Sequence, residues 1–125
     1  MENYIKALKA IADPVRIKIL KLLLKSNVEL CVCEIVDSLN LPFYTISRHI
    51  KELKNAHLLK ESKDGKFVHY SLNRENNDFV KNVFKLINSI PETEFKKEIL
   101  SLEERLSLRE KGRCVIGIVK KSQND

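Results

Sequence analysis

The sequence predicts a mainly α fold with one small β-hairpin, a winged helix-turn-helix. Two short apolar stripes at helical spacing follow one another over residues 32–53, joined by about three residues. The hydrophobic period then drops to two around Asp64-Gly65 in "KESKDGKFVHYSL". A net charge of +6 on 125 residues accompanies both features and favours an anionic partner, nucleic acid before a membrane surface.

Each element follows in order. Tyr4, Leu8 and Ile11 recur at helical spacing with Lys6 and Lys9 between them. Asp13-Pro14 reads as an N-cap followed by proline at the first helical position. That helix runs to about Lys25, with Lys18, Lys21 and Lys25 as its polar stripe. Val32, Ile35, Val36 and Leu39 mark a short helix that Asn40-Leu41-Pro42 ends, and Phe43, Ile46, Ile50 and Leu53 mark the next. Val68, Tyr70 and Leu72 alternate on one face of the second hairpin strand, so the hairpin reads as a wing. A helix over about 77–90 carries Phe79, Val80, Val83, Phe84, Ile87 and Ile90, and Pro91 breaks it. Phe95, Ile99, Leu102 and Leu106 predict a further helix over about 92–111, stopping near Gly112. Residues 1–90 are expected to be the DNA-binding and dimerisation domain, and 91–125 a helical extension and tail.

The composition, 43% hydrophobic and 32% charged, is that of a globular chain rather than a disordered one. Apolar runs such as "RIKILKLLLK" are cut by lysine. No transmembrane span or secretory signal is therefore expected, and a cytoplasmic protein is. In that compartment thiols stay reduced. Cys31, Cys33 and Cys114 are then left to metal binding, reactivity or burial. No Cys-x-x-Cys lies near a βαβ pattern and no Cys–His pair has a mechanistic spacing, which argues against an enzyme. No organic cofactor is expected.

On a helical wheel, residues 43–55 leave Tyr44, Arg48 and Lys51 opposite the apolar stripe, with Thr45 and Ser47 to either side. Cations and hydroxyls on one face suit a reader of the major groove, where Arg binds guanine bidentately and Ser or Thr reaches bases or phosphates. Lys63 and Lys66 flank the wing tip, placed to grip the adjacent backbone.

The segments "LKAIADPVRIKIL", "ELCVCEI", "TISRHIKELKNAHLL" and "DGKFVHYSL" resemble the ArsR/SmtB family of winged-helix repressors, in the right order over roughly residues 4 to 90. The resemblance implies a homodimer built from the first and fifth helices, double-stranded operator DNA as partner, and release by an effector. Two features depart from the family. Pro42 and Phe43 stand in a turn that usually carries polar residues, and the chain from Pro91 onward extends past the common core.

"ELCVCEI" further resembles the arsenic-sensing subgroup, in which this Cys-x-Cys binds trivalent arsenic or antimony. Arsenite or antimonite is thus the effector the resemblance implies. Many members add a third cysteine where this chain has Val36, which leaves Cys114 as the remaining thiol. The family's zinc site needs histidines and carboxylates on the fifth helix, where this chain has only Asp78. In an ideal helix Cys31 and Cys33 sit about 200° apart on opposite flanks of the apolar stripe, exposed and poorly placed to share one ion. A rearranged first turn brings the sulfurs together, so binding competes with structure at the entrance to the DNA reader. The alternatives are a thiol redox or persulfide sensor on the same body, and a DNA-binding protein without effector.

Overall fold

The computed structural model describes residues 1–75 and 77–120. The element order is α1 (Glu2–Ala10), α2 (Pro14–Ser26), β1 (Leu30–Cys31), α3 (Val32–Leu39), α4 (Phe43–Asn55), β2 (Leu59–Asp64), β3 (Phe67–Leu72) and α5 (Asp78–Asn88). A 3₁₀ turn (Glu92–Phe95) and α6 (Lys96–Leu106) follow. Local chemistry sets the boundaries. Asp13 caps α2 by accepting from the amides of Val15 at 2.8 Å and Arg16 at 3.1 Å. Asn27 and Asn40 end α2 and α3 in the left-handed region, each at φ 53°, a conformation that asparagine tolerates. Asn77 caps α5 through the Val80 amide.

The helix-turn-helix is α3 and α4, closed by Ile35, Val36, Ile46, Ile50 and Leu53 in the core. The wing differs from expectation in two ways. It has three strands rather than two, because β1 pairs antiparallel with β3 and gives the order β1-β3-β2. Two residues of strand just before a helix leave no visible period in the sequence. The turn is also shifted by one residue: Asp64 pairs with Phe67, so Gly65-Lys66 forms the loop. Gly65 takes φ +61° at the first central position, as a type II′ turn requires.

The core runs without a break from α2 through α3, α4 and α5 to Phe95, Ile99 and Leu102 beyond Pro91. Helix α6 ends at Leu106, shorter than the expected stretch to 111. Lys21, expected on a polar stripe, is buried instead. Its ammonium donates to the carbonyls of Asn88 at 3.1 Å and Ile90 at 2.8 Å, capping the end of α5, and it faces the Phe95 ring. The apolar face of α5 is likewise accounted for within one protomer. Val80, Val83, Phe84 and Ile87 are buried in its own core, so they do not by themselves call for a partner. No helix among the described residues is long and apolar enough to cross a membrane.

Candidate functional site

Cys31 does not begin the helix as the wheel assumes. It is the N-cap of α3, in extended conformation at φ −80°, ψ 158°, and pairs with His69 in the sheet. The expectation of an exposed Cys31 is therefore overturned: its relative exposure is 0%. The extended residue turns the sulfur inward, and the about 200° separation of an ideal helix no longer applies. Cys33 is half-buried, and Cys114 is buried against the first thiol, with Cys31 Sγ and Cys114 Sγ 2.7 Å apart. Cys33 lies near enough to Cys31 to perturb its titration, but its sulfur is not part of the close donor group that Cys31, Glu34 and Cys114 form. The neighbouring Cys31 thiol pulls the Cys33 thiol down to about 7 against the opposing effect of burial, helped by the charge of Arg105. The Cys31 thiol is raised by the neighbouring Cys33 thiol, by burial and by contact with Cys114.

Residues outside the expected ligand set hold this cluster together. Glu34 is fully buried, and its Oε1 accepts from the Cys31 amide at 3.0 Å, closing the first turn of α3. Arg109 grips the same carboxylate with two bonds of 2.7 Å each. Burial alone raises the Glu34 carboxyl, but Arg109 and the Cys31 amide outweigh it and hold it below the usual range. One turn further along α3, Arg105 donates to the buried Asp37 at 2.6 Å and to the tail carbonyls of Ile116 and Gly117. The amides of Val119 and Lys120 close back onto Asp37. Arg113 pairs with Asp64 at the wing tip. The tail thus touches both the helix-turn-helix and the wing. Glu34 and Asp37 stand at i, i+3, and Arg105 and Arg109 at i, i+4.

The thiols, Glu34 and the two arginines make a buried site with soft donors. Cys31, Glu34 and Cys114 each offer a ligand atom within 4.8 Å of the others, a spacing that one ion can bridge. On the opposite part of the helix-turn-helix, α4 presents Tyr44, Arg48 and Lys51 to solvent, with Thr45 and Ser47 half-buried beside them. The Arg48 guanidinium lies 5.4 Å from the Tyr44 ring centroid. Lys63 and Lys66 are exposed on the wing, with Lys66 over the Phe67 ring.

The profile of a family described as "Bacterial regulatory protein, arsR family" matches residues 13–61. An uncharacterized HTH-type transcriptional regulator of Methanocaldococcus jannaschii is 42% identical over 93 residues, covering 72% of this chain and 100% of the relative. An arsenical resistance operon repressor of Staphylococcus xylosus is 35% identical over 82 residues, covering 66% of this chain and 77% of the relative. Among solved structures, a homodimeric winged helix-turn-helix DNA-binding domain from Mycobacterium bovis superposes with a TM-score of 0.60. It is 24% identical, covers 71% of this chain and 78% of that one, and shows the shared fold.

Proposed function

The chain belongs to the ArsR family of DNA-binding transcriptional regulators and is not an enzyme; from that premise we infer that it is a metalloid-responsive repressor. It binds double-stranded operator DNA as a homodimer through Tyr44, Thr45, Ser47, Arg48 and Lys51 on α4 and Lys63 and Lys66 on the wing. It lets go when trivalent arsenic or antimony takes the thiolates of Cys31, Cys33 and Cys114. The observation that carries this reading is the convergence of Cys114 on Cys31 across 83 residues of chain, with Cys33 two residues from Cys31 on the same turn. The name of the Staphylococcus xylosus relative supports it, and the Mycobacterium bovis domain supports the dimer.

The donor set fits the effector. Arsenous acid and three thiols give one tris-thiolate and three waters, each sulfur proton leaving with one hydroxyl. The product is neutral and suits a buried site. The same chemistry supplies a lever. Bound through Cys31, Cys33 and Cys114, the metalloid would tie the tail covalently to the start of α3. Cys114 belongs to the tail that grips α3 and the wing tip, so its displacement reaches both parts of the DNA reader. A ligand with different affinity for the two arrangements shifts the population between them.

The test is an operator gel-shift titrated with arsenite. Cys33→Ser and Cys114→Ser should retain operator binding and lose release. Cys31→Ser is the poorer probe, since it places a hydroxyl in a fully buried position. Release of Cys33→Ser at the wild-type arsenite concentration would remove Cys33 from the site.

The 2.7 Å contact also favours a second reading, a thiol redox sensor. A peroxide would oxidise Cys31 and Cys114 to a disulfide, the two thiol hydrogens and the peroxide leaving as two waters. A non-reducing peptide map after mild peroxide separates the readings, because only this one joins those two peptides and frees DNA without arsenite.

A further inference from the structure

Glu34 is the odd member of the thiol cluster. Its carboxylate lies within 4.8 Å of the sulfurs of Cys31 and Cys114, and all three are buried. Two thiols and a carboxylate in that arrangement are a donor set for a divalent cation, which takes four ligands and mixes sulfur with oxygen. Here both oxygens are occupied. Oε1 accepts from the Cys31 amide at 3.0 Å and from Arg109 Nη2 at 2.7 Å, and Oε2 accepts from Arg109 Nε at 2.7 Å. Arg109 is itself anchored, donating to the Glu29 carbonyl at 2.6 Å and the Gly112 carbonyl at 3.3 Å.

We propose that Arg109, by holding Glu34, sets the ion selectivity of the thiol site, restricting its donors to sulfur and so favouring a three-coordinate metalloid over four-coordinate cadmium or zinc. The proposal rests on the arsenic-binding reading above. Charge supports it alongside geometry. Exchange of three thiols with arsenous acid leaves no net charge, so the Glu34–Arg109 and Asp37–Arg105 pairs stay matched. A divalent cation on three thiolates leaves one negative charge among arginines already committed to carboxylates. Recruiting Glu34 as the fourth donor instead breaks a bidentate, largely buried ion pair.

The experiment compares cadmium and arsenite binding to the full chain, by competition with a chromophoric chelator and by X-ray absorption at each ion's edge. Arg109→Gln removes the guanidinium. Arg109→Lys retains a charge for Glu34 but cannot grip both oxygens, and keeps the test open should the first variant fail to fold. Both should raise cadmium affinity by about tenfold or more, the usual scale of effects from groups that orient ligands. Arsenite affinity should stay unchanged, and cadmium should gain an oxygen neighbour that the wild type lacks. Adding Glu34→Gln to Arg109→Gln should reverse the gain. An unchanged cadmium-to-arsenite ratio in both variants would overturn the proposal, as would an oxygen neighbour already present in the wild type. So would a gain that survives Glu34→Gln. Wild-type protein that takes up neither ion would refute the thiol site itself, a result distinct from normal arsenite binding with an unmoved ratio.

Discussion

Cys33 is the thiol through which the cluster meets solvent, since Cys31 and Cys114 are both buried. The neighbouring Cys31 thiol and the charge of Arg105 lower its pKa to about 7, below the ordinary cysteine value near 8.5. The thiolate is the reactive form, so lowering the pKa moves the onset of alkylation to lower pH. Iodoacetamide should label Cys33 before Cys31 and Cys114, with a rate that rises through a midpoint near 7, measured by mass spectrometry of peptides across a pH series. Labelling of Cys31 first would contradict its complete burial. On the DNA-reading side, Arg48 and Lys66 should fail differently. Arg48→Ala is expected to lose about 1–3 kcal/mol and relax sequence preference, as a base contact does. Lys66→Ala should weaken all sequences alike and reduce the salt slope by about one charge. Binding isotherms on operator and random DNA at several salt concentrations measure both.

The pairing of α3 with α6 and the tail decides how the first helix of the reader is held. A helix of eight residues has little stability of its own. Here Asp37 fixes it from one side by accepting from Arg105 and from two tail amides. Arg105→Met should destabilise the chain by about 3–5 kcal/mol, because it leaves a buried carboxylate without its cation. Asp37→Leu combined with Arg105→Met should recover much of that loss, since no charge then remains unpaired. Thermal denaturation of the two variants measures the difference. If the single variant melted at the wild-type temperature, the pair would not be what fastens the tail. Cys31 belongs at this scale too. The extended conformation of Cys31 before α3 turns its sulfur inward onto Cys114, with no change in composition.

For the whole molecule the apolar residues left over on α1 and α5 form a surface that suits the proposed dimer. Tyr4, Ile5 and Leu8 are exposed on α1, and Leu86 on α5 is 57% exposed. Tyr4 packs edge-on against Phe79, at 4.9 Å between ring centroids, which joins the two helices into one surface. A two-fold partner on this surface places the two reading helices so that half-sites lie about 34–36 Å apart, or a multiple of it. Leu8→Glu should yield a monomer by analytical ultracentrifugation and reduce operator affinity steeply. A stable dimer in that variant would move the interface elsewhere.

The helix-turn-helix, the wing turn and the Cys-x-Cys were legible in the sequence because each is written within a few residues. Capping at Asp13, the stop at Asn40-Leu41-Pro42 and the glycine at position 65 are local steric and hydrogen-bonding rules, and apolar periodicity needs only one turn of helix to declare a face. What the sequence left open is of another kind. Cys114 beside Cys31, Glu34 under Arg109, Asp37 under Arg105 and Lys21 at the end of α5 join residues 67 or more positions apart. No propensity or period spans such distances. They follow only from the packing of α6 onto α3, which sets the tail down where it reaches β1 and the wing. A buried charge or thiol also looks, in sequence, like a solvated one. Lys21 repeats with Lys18 and Lys25 as a polar stripe, and Cys31 reads as an exposed flank. Only the neighbours brought by the tertiary structure supply the carbonyls, guanidinium groups and sulfur that make it favourable for those side chains to leave water.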